Sequence, residues 1–203
     1  DHFRKQEPSV TVRLPEAYLV PPAWADVIAR LEWHGVEVRR LADPIEIEVR
    51  SCRFTDVSWR ERPYEGRHPL RFATEEVHET RSFPAGTAVI DVAQPAARLI
   101  AHWLVPEGPD AAVQWGFFDP IFSRVEYVES YVIEAMMQDM VAAQPALRDS
   151  LAAAMAADST LAGDPSAIRN WFYGRTPYHD DRVNVYPVGL LDDRAIVDGL
   201  PLR

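Results

Sequence analysis

Hydrophobic and polar residues alternate with a period of two over Ile45, Glu46, Ile47, Glu48, Val49 and Arg50, which predicts a strand with one buried and one wet face. The phase then slips to Cys52 and Phe54, as a β-bulge would make it do. Ala17–Val20 reads as a short apolar strand, Leu70, Phe72 and Thr74 alternate again, and after the turn Pro84-Ala85-Gly86 the residues Ala88, Ile90 and Val92 form another. This second half of the sheet is expected to be antiparallel. Following the first strand, Trp24, Val27, Ile28 and Leu31 share one helical face, Gly35 closes the helix, and Val36-Glu37-Val38 alternates as a strand. That succession predicts a βαβ unit with parallel strands and a right-handed crossover.

The period changes again downstream. Pro95 suits the first turn of a helix running to about Leu104, with Leu99, Ile100, Trp103 and Leu104 on buried faces and Trp103 a core residue. From Ser123 the chain reads as helical: Ser123 and Glu126 make a capping box, and Val125, Val128, Val132, Met136 and Met140 form an apolar stripe. Pro145 opens a second helix to about Ala157, and Asp164-Pro165 caps a third that ends near Gly174. From Gly189 the chain is polar and reads as a loose tail. The predicted class is α+β: a mixed sheet begun by a βαβ unit, covered by helices, with about three helices grouped toward the C-terminus. One domain over 1–203 is expected, with an α/β part at 14–118, a helical part at 119–188 packed on the sheet, and the tail at 189–203.

Composition narrows the function classes. With 47% hydrophobic and 26% charged residues the chain is a folded protein. A net charge of -10 argues against binding nucleic acid or anionic membrane, and no apolar run is long enough to span a bilayer. The lone Cys52 offers no internal disulfide and is expected to be a small buried residue on a strand. The first residues are not a signal peptide, and their abrupt polar opening before a strand is what an excised fragment or cleaved product would show.

The candidate chemistry is sparse. Glu76 and His78 are two apart on a predicted strand and therefore share a face, with His68 and His179 as possible companions. The neighbouring carboxylates Glu75-Glu76, Asp180-Asp181 and Asp192-Asp193 point apart on a strand or into solvent on a loop. Trp115, Phe117, Phe118, Phe122, Tyr127 and Tyr131 suit either a groove for an apolar peptide end or core packing. Trp171-Phe172-Tyr173 with Arg175, Tyr178 and His179 is either an interface or the end of a packed helix. The sequence holds no Gly-x-Ser-x-Gly elbow, Walker A loop or Gly-x-Gly-x-x-Gly turn.

One longer pattern is more telling. Gln94-Pro95-Ala96-Ala97-Arg98-Leu99, then Pro106-Glu107, then Trp115-Gly116-Phe117-Phe118 occur in that order. They are flanked by Ala17–Pro21 with Leu31 and His34–Val38, by Arg62-Pro63-Tyr64-Glu65-Gly66, and by Glu126-Tyr127 and Asn184–Pro187. Over roughly residues 14 to 188 the chain thereby resembles the C-terminal, non-catalytic region of bacterial zinc carboxypeptidases of the carboxypeptidase A superfamily. The resemblance implies an accessory domain that supports or shapes a peptidase. It also implies that the zinc and a peptidase domain lie elsewhere in the same polypeptide, and that the protein is periplasmic or secreted. The family's catalytic set finds no matching positions, so neither a catalytic nor a metal-binding residue carries over. His34 and Glu37 share the spelling of the zinc motif, but a helix end and a strand separate them, and the match is expected to be accidental. Two alternatives stand beside this reading: a stand-alone hydrolase built on Glu76 and His78, and a self-association module using the aromatic helical end.

Overall fold

The computed structural model describes residues 11–124 and 127–203. Strand β1 (Ala17–Val20) leads through a 3-10 turn at Pro22–Trp24 into α1 (Ala25–Trp33), whose Val27, Ile28 and Leu31 are buried. Just beyond the helix end, Gly35 adopts φ 78°, a left-handed turn that a Cβ would resist. Strand β2 (Arg39–Arg40) follows. Val36 and Val38, expected to form this strand, instead pack into the core just ahead of it. A long hairpin of β3 (Ile45–Trp59) and β4 (Leu70–Phe83) comes next, then β5 (Ala88–Asp91) and α2 (Ala97–Leu104). Four helices, α3 (Ser130–Ala143), α4 (Leu147–Ala157), α5 (Ser159–Gly163) and α6 (Pro165–Tyr173), precede β6 (Gly189–Leu191) and α7 (Arg194–Asp198).

The six strands form one sheet in the order β2-β5-β1-β6-β3-β4. The α+β class is correct, but every named ladder is antiparallel. β1 and β2 do run parallel to each other, as a βαβ unit requires; β5 is inserted between them and pairs antiparallel with both. The expected mixed sheet therefore has no adjacent parallel pair among the described strands.

Both faces of the sheet are covered. Tyr18, Val20, Phe54, Ala88 and Ile90 face one core with Val27, Leu31, Ile100, Leu104 and Phe118. Ala17, Leu19, Val49, Phe83 and Val89 face the other, with Leu41, Leu191 and Val197. This explains the slip within β3. Pairing with β4 is unbroken from Ile45 to Thr55, so no bulge accompanies Cys52 and Phe54; the strand changes which face it buries. The register shift lies farther on, between Thr55 and Ser58, beside Asp56 at φ 53°.

The expected tail at 189–203 is corrected outright. Gly189–Leu191 is a central strand between β1 and β3, Val197 is fully buried, and Leu202 bridges Leu41. Three strand residues followed by two aspartates are too short a run to show alternation. Trp103, expected in the core, is partly buried; Ile100 and Leu104 take the enclosed positions, and the indole Nε1 donates to the Val27 carbonyl at 3.1 Å.

The described residues divide into two compact units, one reaching Ser123 and resuming at Asn184, the other Arg124–Val183. In the second, Ile133, Leu147, Phe172 and Tyr173 form a core lined by Val128, Met136, Met140 and Val141. Of the predicted stripe, Val128, Met136 and Met140 pack on this core, whereas Val132 is exposed and Ile133 takes the buried place beside it. Val125 and Glu126, and with them the predicted capping box, lie outside the described residues. Asp158 and Asp164 cap α5 and α6 by accepting backbone N–H bonds.

Glycine is required at 189 by contact. A Cβ there would stand 2.6 Å from Phe83 Cζ and 3.1 Å from Val49 Cγ1, both in a buried core. Gly189→Ala is therefore expected to cost about 1–3 kcal/mol, the usual range for overpacking. Combined with Phe83→Leu, which clears the ring, it should cost less than alone; urea melts of the single and double variants check this.

Candidate functional site

Alternation places Tyr18 of β1, Arg50 and Cys52 of β3, Thr74, Glu76 and His78 of β4, and Leu190 of β6 on one face of the sheet. The register aligns them across strands: Cys52 stands opposite Glu76, Arg50 opposite His78, and Leu190 opposite both Tyr18 and Arg50. Together with Leu104–Glu107, at and beyond the end of α2, they line a cavity of about 540 Å³. Arg13 and Asp192 complete its charged lining.

The strongest polar contact is a bidentate ion pair. Arg50 Nε and Nη2 donate to the two Asp192 oxygens at 2.7 Å each, linking β3 to the residue after β6. The Arg50 hydrogen bonds hold the Asp192 carboxyl below the usual carboxylate range, against the opposing effect of burial. Arg50 is raised in turn by the same hydrogen bonding. Nearby, His78 Nε2 lies 3.0 Å from Glu76 Oε1, as the shared face predicted, but both side chains are more than half exposed. Such a pair contributes at most about 1 kcal/mol. Thr74 donates to Glu107 Oε1 at 2.7 Å.

The floor of the cavity is neutral. Burial pushes the Cys52 thiol and the Tyr18 phenol each up to about 12, so neither ionises near neutrality. Tyr186, also raised by burial, donates its hydroxyl to the Leu104 carbonyl. Ser51 turns its hydroxyl to the carbonyls of Tyr186 and Val188. Tyr18 is 1% exposed, and its hydroxyl has no hydrogen-bond partner among the described residues.

The remaining candidates disperse. His34 Nδ1 donates to the Arg30 carbonyl at the end of α1, and the Glu37 backbone N–H donates to Gln94 Oε1. His68 bonds the Arg60 carbonyl in the β3–β4 hairpin, and His179 packs on Tyr173 in the second unit. Of the adjacent aspartates, Asp192 takes Arg50 while Asp193 caps α7 through the Ala195 N–H, and Asp180 accepts from the Arg182 N–H. Phe118 is buried and Phe122 packs edge-on to Phe54; Tyr127 and Tyr131 are exposed. Trp115 and Phe117 line a second cavity of about 610 Å³, where Arg30 lies over the Phe117 ring. Phe172 and Tyr173 are buried, and Arg175 stacks on Trp171. Among the described residues no three His, Cys, Asp or Glu side chains are grouped as metal ligands would be.

Sequence reasoning missed Tyr18, Arg50 and Glu107. The available signals were a tyrosine inside the apolar run Ala17–Val20 and an arginine closing the alternation at Val49.

The chain is similar to carboxypeptidase 2 of Trichophyton rubrum, 32% identical over 121 residues that make up 60% of the chain and 22% of the relative. Carboxypeptidase 2 of Trichophyton tonsurans is 32% identical over 113 residues, 56% of the chain and 21% of the relative. The chain thus spans about a fifth of the length of these curated relatives, which are fungal, and is similar to a limited region of them. No family model matches the chain. No solved structure matches it.

Asp192 carries a pH prediction. Its carboxyl titrates lower in the folded chain than the ordinary 3.8, so its contribution is fully present above that value and is lost as pH falls through the folded one. Asp192→Asn should cost about 1.5–3 kcal/mol at pH 7, the range for hydrogen bonds to charged groups. The gap between wild type and variant should close below about pH 4, as chemical denaturation at a series of pH values would show.

Proposed function

We propose that this chain is a non-catalytic accessory region of a zinc carboxypeptidase, supporting or shaping a peptidase domain encoded elsewhere in the same polypeptide. The observation that carries the reading is the 32% identity to a limited region of the fungal carboxypeptidases 2, extending over more than half of this chain. Bond cleavage and zinc belong, on this reading, to residues beyond this sequence, and the parent protein is exported to the periplasm or secreted. In favour of this reading, His34 Nδ1 is bonded to the Arg30 carbonyl, and among the described residues no group of three His, Cys, Asp or Glu side chains could hold a metal ion. Among the described residues no helix is long and apolar enough to cross a membrane.

A stand-alone hydrolase has the Glu76–His78 contact at a cavity in its favour. Against it, burial pushes the Cys52 thiol up and the Ser51 hydroxyl is bonded to two carbonyls, so neither is activated by the Glu76–His78 pair, and Thr74 donates to Glu107 instead. The purified chain is therefore expected to bind well under one zinc per molecule by elemental analysis and to release no C-terminal amino acid from blocked peptides. Stoichiometric, chelator-sensitive zinc with peptide hydrolysis would overturn the accessory reading. Hydrolysis abolished by His78→Ala and indifferent to chelators would favour the hydrolase.

A further inference from the structure

The cavity over β1, β6, β3 and β4 has a feature that folding alone does not account for. Tyr18 is a large polar side chain in the middle of the sheet, 1% exposed, with its hydroxyl unpartnered among the described residues. Leaving such a group unsatisfied is costly, and native structures seldom keep one without a role. The sign of a ligand that would satisfy it follows from the charges around it. Arg50 directs Nε and Nη2 at Asp192, so that pair is internally neutralised and the guanidinium is poorly placed to take an anion. Of the other charged groups lining the cavity, Glu76 is shared between His78 and Arg50 Nη1 at 3.8 Å, Glu107 is acidic and accepts one bond, from Thr74, and Arg13 is basic, so that three carboxylates face two arginines. The balance is negative. The remaining surface, from Leu104, Val105, Pro106, Leu190 and Val12, is aliphatic.

We propose that this cavity binds an organic cation, an ammonium or guanidinium head on an aliphatic stem. The head is hydrogen-bonded by the Tyr18 hydroxyl and the Glu107 carboxylate, and the stem lies against Leu104 and Pro106. A neutral phenol accepts an N–H, a carboxylate adds a charge-assisted bond, and about 540 Å³ leaves room for a side chain of arginine size with adjoining backbone. The same chemistry is offered by a free diamine or guanidine and by a basic side chain of a peptide. The inference goes beyond the accessory role and does not depend on it.

The test is calorimetric titration of the full 203-residue chain with agmatine, with a blocked Ala-Arg-Ala peptide, and with the Ala-Glu-Ala counterpart. Saturable one-to-one binding of agmatine and of the arginine peptide, but not of the glutamate peptide, is expected if basic peptide side chains are the ligand. Binding of agmatine alone assigns the cavity to free cations. Tyr18→Phe and Glu107→Gln should each weaken binding about tenfold or more, the loss expected for a hydrogen bond to a charged group. Tyr18→Phe should leave the melting temperature unchanged or higher, because the hydroxyl it removes bonds none of the described residues. If Tyr18→Phe does not fold, Glu107→Gln decides. No binding of either cation at 10 mM of about millimolar-range probes, equal binding of the glutamate peptide, or undiminished affinity in the variants would overturn the proposal.

Discussion

The sheet depends on the insertion of Gly189–Leu191 between β1 and β3. The four residues of β1, Ala17–Val20, pair with β5 on one side, and among the described strands β6 alone connects them to the long β3–β4 hairpin on the other. Without that strand the sheet would be two pieces with unpaired inner edges, a costly state because buried backbone groups must be hydrogen-bonded. Steric room makes the insertion possible: the position facing Val49 and the Phe83 ring is a glycine. Arg50 and Asp192 then fasten the strand with two charge-assisted bonds.

The same insertion creates the polar cavity. Strands β1, β3 and β4 carry Tyr18, Arg50, Glu76 and His78 on one face, and β6 brings Leu190 into the row between Tyr18 and Arg50. Coverage of that face by α1, α2 and the Ala111–Val113 segment leaves the row open beside Glu107, and a charged recess remains next to an apolar core. On the opposite face Val197 and Leu191 close over Ala17, Leu19 and Val49, while Arg81 and Glu79 of β4, opposite Ile47 and Val49, form an ion pair there.

What the sequence disclosed, and what it hid, follows from the range of the forces involved. The strands at Ala17, Ile45, Leu70 and Ala88 and the helix faces of Val27, Ile28, Leu31, Ile100 and Leu104 were legible because burial there repeats with a fixed local period. The shared face of Glu76 and His78 was legible for the same reason. β6 was not, because three residues carry no period and their pairing partners lie more than 130 residues upstream. The face exchange in β3 resembled a bulge because alternation reports a change of phase without saying whether the backbone or the environment changed. The one-position error at Val132 and Ile133 arose from reading a stripe through residues at the start of a helix whose first turn begins only at Ser130. The cavity was out of reach, since its walls join residues from Thr11 to Asp192 that only the folded sheet brings together.

Residue-resolved amide hydrogen exchange on the full chain tests the central role of β6 most directly. If Gly189–Leu191 is an interior strand, the hydrogen-bonded amides of β6 will exchange as slowly as those of β1 and of β3 near Val49, opening only with global unfolding. Exchange of β6 at the rate of the exposed hairpin around Gly66, with β1 and β3 still protected, would show that the sheet stands without it and would contradict the account.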